Sequence, residues 1–182
     1  MRRRQSSVAL TAQPDPPRRP ADSTRVVLGV DPGLERTGYA AIQLATGRLL
    51  DAGLIRTSTK ATLAQRLAEI DRGIEEILTE HRVDQLVVED LFAHYKHPRT
   101  AILMGHARGV ILLAAARHGV EPTSISATMI KKALTGNGHA SKVQMQRAIM
   151  ATFGLREPPE PPDVADALAA AYYAIVAKRQ SA

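Results

Sequence analysis

The stretch Val26-Val27-Leu28-Gly29-Val30-Asp31-Pro32-Gly33 constrains the fold more than any other part of the chain. An apolar, β-branched run favours an extended strand, and its end on an acid followed by Pro-Gly delivers a carboxylate to the rim of a sheet. Two later stretches bring further acids, Leu86-Val87-Val88-Glu89-Asp90 and Asp163-Val164-Ala165-Asp166. The remaining sequence has to build the sheet and decide which acids reach that rim.

Strands come first. Residues 26–31 form one, and residues 39–44 and 49–57, joined through Thr46-Gly47, continue it as an antiparallel meander. Leu63, Leu67, Ile70, Ile74, Ile77 and Leu78 recur at helical spacing with charges between them, which predicts an amphipathic helix over residues 61–81 lying on the sheet. Residues 83–88 are a nearly unbroken apolar run, the pattern of a strand covered on both faces, and the crossover helix before it makes it parallel to the first and third strands. Parallel strands end on one edge, and open α/β sheets bind ligands beyond those carboxyl ends. With a right-handed crossover setting the two strands side by side, Asp31 and Glu89 converge there. The plainer alternative is that each acid is a polar strand terminus.

A second helix runs from Pro98 to about residue 118 and closes at Gly119. Gly105 and Gly109 interrupt it, and mid-helix glycines cost about 1 kcal/mol each relative to alanine. Their presence points to the close approach of another backbone, from the same chain or from a second subunit. Residues 120–126 make a short fifth strand, and Ser126 caps a brief helix carrying Lys131 and Lys132. After the loop Thr135-Gly136-Asn137-Gly138-His139-Ala140, Ser141 and Gln144 form a capping box that opens a helix ending at Gly154. Lys142 falls in its first turn, either solvated or beside a phosphate held by the helix-terminal amides. Prolines at 158, 159, 161 and 162 lead into a last helix over residues 163–178, where Asp163 and Asp166 share one face. Asp163 also reads as the N-cap of that helix.

The chain has 182 residues, suited to one domain, and its aromatic content of 3% makes the core aliphatic. Absence of cysteine removes disulfides, thiolate zinc sites and thiol nucleophiles, and is compatible with a reducing compartment. The net charge of +6 points to a polyanionic partner. Half of that excess lies in residues 1–24, which hold five arginines against two aspartates; with Pro14, Pro16, Pro17 and Pro20, this segment reads as a disordered tail. Residues 25–178 then form the folded domain, and residues 179–182 a flexible end. The short stretch 7–12 is too polar for a secretory signal, and no apolar run approaches membrane-spanning length, so a soluble, cytoplasmic protein without a membrane partner is expected.

Four ionised acids in one cleft repel one another unless a counterion joins them. A set of oxygen ligands with open water positions suits magnesium or manganese rather than zinc. Two such ions, about 4 Å apart, activate a water for in-line attack on a phosphodiester and stabilise the leaving oxygen.

Asp31-Pro32-Gly33 with Thr37-Gly38-Tyr39, Val88-Glu89 with Phe92, Gly105-His106-Ala107-Arg108-Gly109-Val110, and Asp163-Val164-Ala165-Asp166-Ala167-Leu168-Ala169 resemble, in order and spacing, the RuvC-type Holliday junction resolvases. The resemblance spans about residues 26–176 and includes all four acids. It implies an RNase H-like α/β fold, a five-stranded mixed sheet of an antiparallel meander plus two parallel strands flanked by helices. It also implies a homodimer, magnesium-dependent symmetric nicking of four-way junction DNA, and branch-migration machinery as a further partner. By position, Asp31, Glu89, Asp163 and Asp166 resemble the metal-binding tetrad, and Lys131 and Lys142 match lysines that assist catalysis and contact phosphate. Phe92 resembles an aromatic that stacks on bases, and the glycine-bearing helix a dimer helix.

The loop after Phe92, Ala93-His94-Tyr95-Lys96-His97-Pro98-Arg99, departs from the better-known members by its length. Lys96 and Arg99 are assigned to phosphates there, with His94 and His97 as surface residues. Arg108 and Lys132 complete the cations assigned to DNA. Two other readings stand beside this one: an RNase H-like nuclease acting on another nucleic acid such as a ribosomal RNA precursor, and a junction-binding protein that does not cut.

Overall fold

A computed structural model describes residues 24–91 and 98–181. Five strands form one mixed sheet: β1 (Val26–Asp31), β2 (Arg36–Gln43), β3 (Leu49–Arg56), β4 (Gln85–Glu89) and β5 (Pro122–Ile125), in the order β3-β2-β1-β4-β5. β1, β2 and β3 are the expected antiparallel meander, with Asp31 opposite Gly38 and Arg36 opposite Arg56. β4 lies parallel to β1, and β5 parallel to β4. β2 begins earlier than its apolar pattern predicts, because Arg36, Thr37 and Gly38 complete the ladder to β3 although none is a large apolar residue.

Alternation along β1 divides the core. Val26, Leu28 and Val30, with Leu86 and Val88, pack under α1 (Leu63–Glu80) and α2 (Pro98–Arg117). Val27 and Val87 point the other way, into α3 (Ala127–Thr135), α4 (Lys142–Phe153) and α5 (Pro162–Ser181). The capping residues read from sequence are in place: Ser126 accepts from the Met129 amide, and Ser141 and Gln144 bond reciprocally.

Two glycines seat α5. A Cβ on Gly29 would collide with the backbone of Ala167 and Ala171, and one on Gly38 with the carbonyl of Asp163. Glycine inside a strand often marks this kind of close approach. Its consequence is that the first turn of α5 rests directly over the β1–β2 pair.

Three expectations change. Helix α5 starts at Pro162, so Asp163 lies inside its first turn and is not the N-cap; the Val164 amide donates to the Pro161 carbonyl at 3.0 Å. The segment Arg99–Arg117 of α2 is long and apolar enough by composition to cross a membrane, contrary to the sequence reading; one face of it packs on the core through Ala107, Ile111, Ala114 and Ala115. Finally, among the described residues no backbone of the same chain closes on the α2 glycines. Gly105 would meet only Leu91 at 3.8 Å, and Gly109 faces no atom within 4 Å among the described residues. The tail, residues 1–23, lies outside the described residues.

Candidate active site

Asp31 ends β1 and Glu89 ends β4, one strand over and parallel, so both carboxylates leave the same edge. Both fall on the α5 face, in step with Val27 and Val87. Helix α5 then supplies Asp163 from its first turn, held close by Gly38, and Asp166 one turn further on. Sheet direction and helix seat together bring the four acids to one edge of the sheet.

Their electrostatics record that convergence. Burial, then the charges of Asp166, Glu89 and Asp163, push the Asp31 carboxyl up from 3.8 to about 7. Glu89 is raised by burial and by Asp166, against the lowering effect of Lys131. Asp166 is open to solvent on one side, yet protein crowds the rest of it; desolvation raises its carboxyl, with Lys142 opposing. Lys131 and Lys142 line one wall of a cleft of about 310 Å³ together with Glu89, Ala127, Ile130, Met145 and Asp166.

The donor set fits a hard divalent cation. All four groups are oxygen ligands, and mutual repulsion is what a cation would relieve. Among the described residues no three carboxylates or imidazoles close on one point. The acids share an electrostatic environment without being drawn to a common centre.

Residues 27–173 match the model of the family described as crossover junction endodeoxyribonuclease RuvC. The chain belongs to the RuvC family. It is similar to a crossover junction endodeoxyribonuclease RuvC from Rhodopirellula baltica, 50% identical over 149 residues, covering 81% of this chain and 84% of that one. The RuvC of Moorella thermoacetica is 42% identical over 148 residues, 80% of this chain and 88% of its own. Among solved structures, T. thermophilus RuvC in complex with a Holliday junction substrate superposes with a TM-score of 0.80 at 31% identity, covering 86% of this chain and 96% of that one. The RNase H-like fold, read from sequence as a mixed five-stranded sheet with flanking helices, is that of RuvC.

Within this RuvC fold the other assigned residues separate. Lys132 and Arg99 are exposed. Phe92 and Lys96 lie outside the described residues. The Arg108 guanidinium donates from Nη2 to Asp90 Oδ1 at 3.0 Å and to Ser124 Oγ, and its side chain is 19% exposed. It braces α2 against the ends of β4 and β5, next to Glu89. Sequence reasoning did not single out Gly29 or Gly38 as the seat of α5, although a glycine inside each strand was the available signal. Nor did it find Arg36, whose Nε stands 3.7 Å from Asp163 Oδ2. That contact joins residues far apart in the chain, and no local pattern announces it.

Proposed function

We propose that this chain is a structure-selective endodeoxyribonuclease that resolves four-way DNA junctions by paired symmetric nicks, through metal-dependent phosphodiester hydrolysis in the cytoplasm. The observation that carries this reading is the assembly of Asp31, Glu89, Asp163 and Asp166 from β1, β4 and α5 at one sheet edge. The junction complex of the T. thermophilus relative supports the substrate class. The presence of all four acids argues against a binding protein that does not cut.

Asp31, Glu89, Asp163 and Asp166 would hold two magnesium ions, with manganese able to replace them, and ions so held supply an activated water and charge stabilisation at the leaving oxygen. Asp31 acts as a ligand only when ionised, and its carboxyl titrates at about 7. Lys131 opposes the upward shift of Glu89 and Asp166, and Lys142 that of Asp166, so the lysines favour the ionised form of their neighbours against burial while offering cations to phosphate oxygens. The molecule acts as a homodimer docked through α2, whose outer stripe exposes Ile102 by 61% and Leu113 by 54% beside the uncovered Gly109. Branch-migration machinery is the partner that delivers the junction.

The test is a mapped cleavage assay on a synthetic four-way junction with the full chain and magnesium. Cuts in two opposed strands are expected, with linear duplex intact and Asp31→Asn inactive. Equal cleavage of duplex, or undiminished cleavage by Asp31→Asn, overturns the reading.

A further inference from the structure

Arg36 and Arg56 stand directly opposite each other at the β2–β3 end of the edge that carries the acids. Asp31 pairs with Gly38 across β1 and β2, and Gly38 is two residues from Arg36, so all three positions share a sheet face. As the cross-strand partner of Arg36, Arg56 shares it too. Gly38 abuts Asp163 on that face, so both arginines are on the side where α5 presents its acids.

Like charges directly opposite on neighbouring strands destabilise a sheet. Little near this pair relieves the repulsion. Arg36 is 47% exposed with its Nε 3.7 Å from Asp163, and Arg56 is exposed with no ion pair among the described residues. Glu35, the adjacent acid, is exposed and pairs with neither. Nor can the strands splay easily, because this corner is tied down. The Thr57 amide donates to the Glu35 carbonyl at 3.0 Å, the buried Thr57 hydroxyl donates to the Leu34 carbonyl at 2.6 Å, and Arg66 Nε donates to Thr57 Oγ1 at 2.9 Å. The tied backbone thus sets two cations side by side on neighbouring strands, beside a set of carboxylates that repels DNA.

We propose that Arg36 and Arg56 form a phosphate-binding ledge for the DNA strand that crosses the carboxylate edge, on the flank opposite Lys131 and Lys142. The inference rests on the nuclease reading above and deepens it. Lys131 and Lys142 border Glu89 and Asp166 on the β4 side, whereas β2 and β3 lie on the other side of β1. A strand laid across the edge therefore meets cations, then the acids, then cations again. β3 is two strand spacings from β1, about 10 Å, roughly three nucleotides at 3.4 Å of rise per strand. The ledge therefore contacts phosphates within about three nucleotides of the cut, and Arg36, beside Asp163, takes the nearer one.

The test measures junction affinity of the full chain in EDTA, which blocks cutting, across about 50 to 200 mM salt. Each lost phosphate contact makes the slope of log K against log salt shallower by about 0.7 to 0.9. Arg36→Gln/Arg56→Gln is expected to lose about 1.5 of slope, Arg56→Gln alone about half of that, and Arg36→Lys/Arg56→Lys none. A neutral methylphosphonate near the mapped cut should weaken the wild type and add no further loss in the double glutamine variant. Arg56→Gln removes no hydrogen bond or ion pair among the described residues, so it keeps the test decisive if the double variant melts early. An unchanged slope in Arg56→Gln, in protein that binds and cuts junctions normally, overturns the ledge and leaves the nuclease reading standing. If Arg36 serves only as a counterion to Asp163, Arg36→Gln alters the magnesium concentration needed for cleavage and leaves the slope as it was, which also overturns the proposal. A wild type that binds no junction removes both.

Discussion

Replacing Asp31 by asparagine should stabilise the metal-free protein, and only above acid pH. The Asp31 carboxyl moves from 3.8 when exposed to about 7 in the folded chain, because it is buried and faces Asp166, Glu89 and Asp163. Below pH 3.8 the group is protonated in both folded and unfolded chains and contributes nothing. As pH rises toward 7, the unfolded chain has released the proton while the folded chain retains it, so stability falls with pH. Above about 7 the full cost is present; at 1.36 kcal/mol per pH unit of displacement it amounts to about 4 kcal/mol. An asparagine side chain cannot ionise and escapes that cost. For a chain of this size 1 kcal/mol shifts Tm by about 2–4 °C, so Asp31→Asn should melt roughly 10 °C above wild type at about pH 8 in EDTA. At about pH 4 the two should nearly coincide. Circular dichroism melts across that range read the difference directly. Magnesium should then raise the wild-type Tm at pH 8 and narrow the gap, since a ligand that binds only the folded state stabilises it by mass action. A gap that is the same at both pH values, or a wild type more stable than Asp31→Asn at pH 8 in EDTA, would refute the argument that repulsion is stored at this edge.

Two further substitutions probe how the site and the assembly are built. Gly38→Ala places a methyl group against the Asp163 carbonyl; overpacking of this kind costs about 1–3 kcal/mol. By lifting the first turn of α5 away from β1, it should reduce cleavage well beyond its effect on urea unfolding, and near-normal activity would show that Asp163 does not depend on that seat. Leu113→Glu puts a charge on the exposed stripe of α2, where the side chain is 54% accessible. It should leave stability within about 0.5 kcal/mol of wild type while sedimentation shifts from dimer to monomer, and a dimer that persists would move the interface off α2.

The chemistry of the site was legible in the sequence because it is written in side chains at strand and helix ends. Apolar runs that stop on Asp31 and Glu89 declare both the strand and its carboxyl edge, and the crossover helix before β4 fixes its direction. What brings Asp163 and Asp166 to that edge is written differently. Gly29 and Gly38 act through atoms they lack, and a missing Cβ has meaning only once it is known that α5 lies above it. The polar start of β2 is a related case. Arg36 and Thr37 carry no strand pattern, and they are extended because β3 pairs with them and Thr57 ties the corner shut. Arg108 is a further case: its motif reads as a DNA contact, and only the fold shows that Asp90 and Ser124 accept hydrogen bonds from it. A charge read from sequence is more available to a substrate the less the fold has used it. By that measure Arg108, with two hydrogen bonds from Nη2, is less available than Arg36, with its one contact to Asp163, and Arg56, exposed and without an ion pair among the described residues, is the most open to a phosphate.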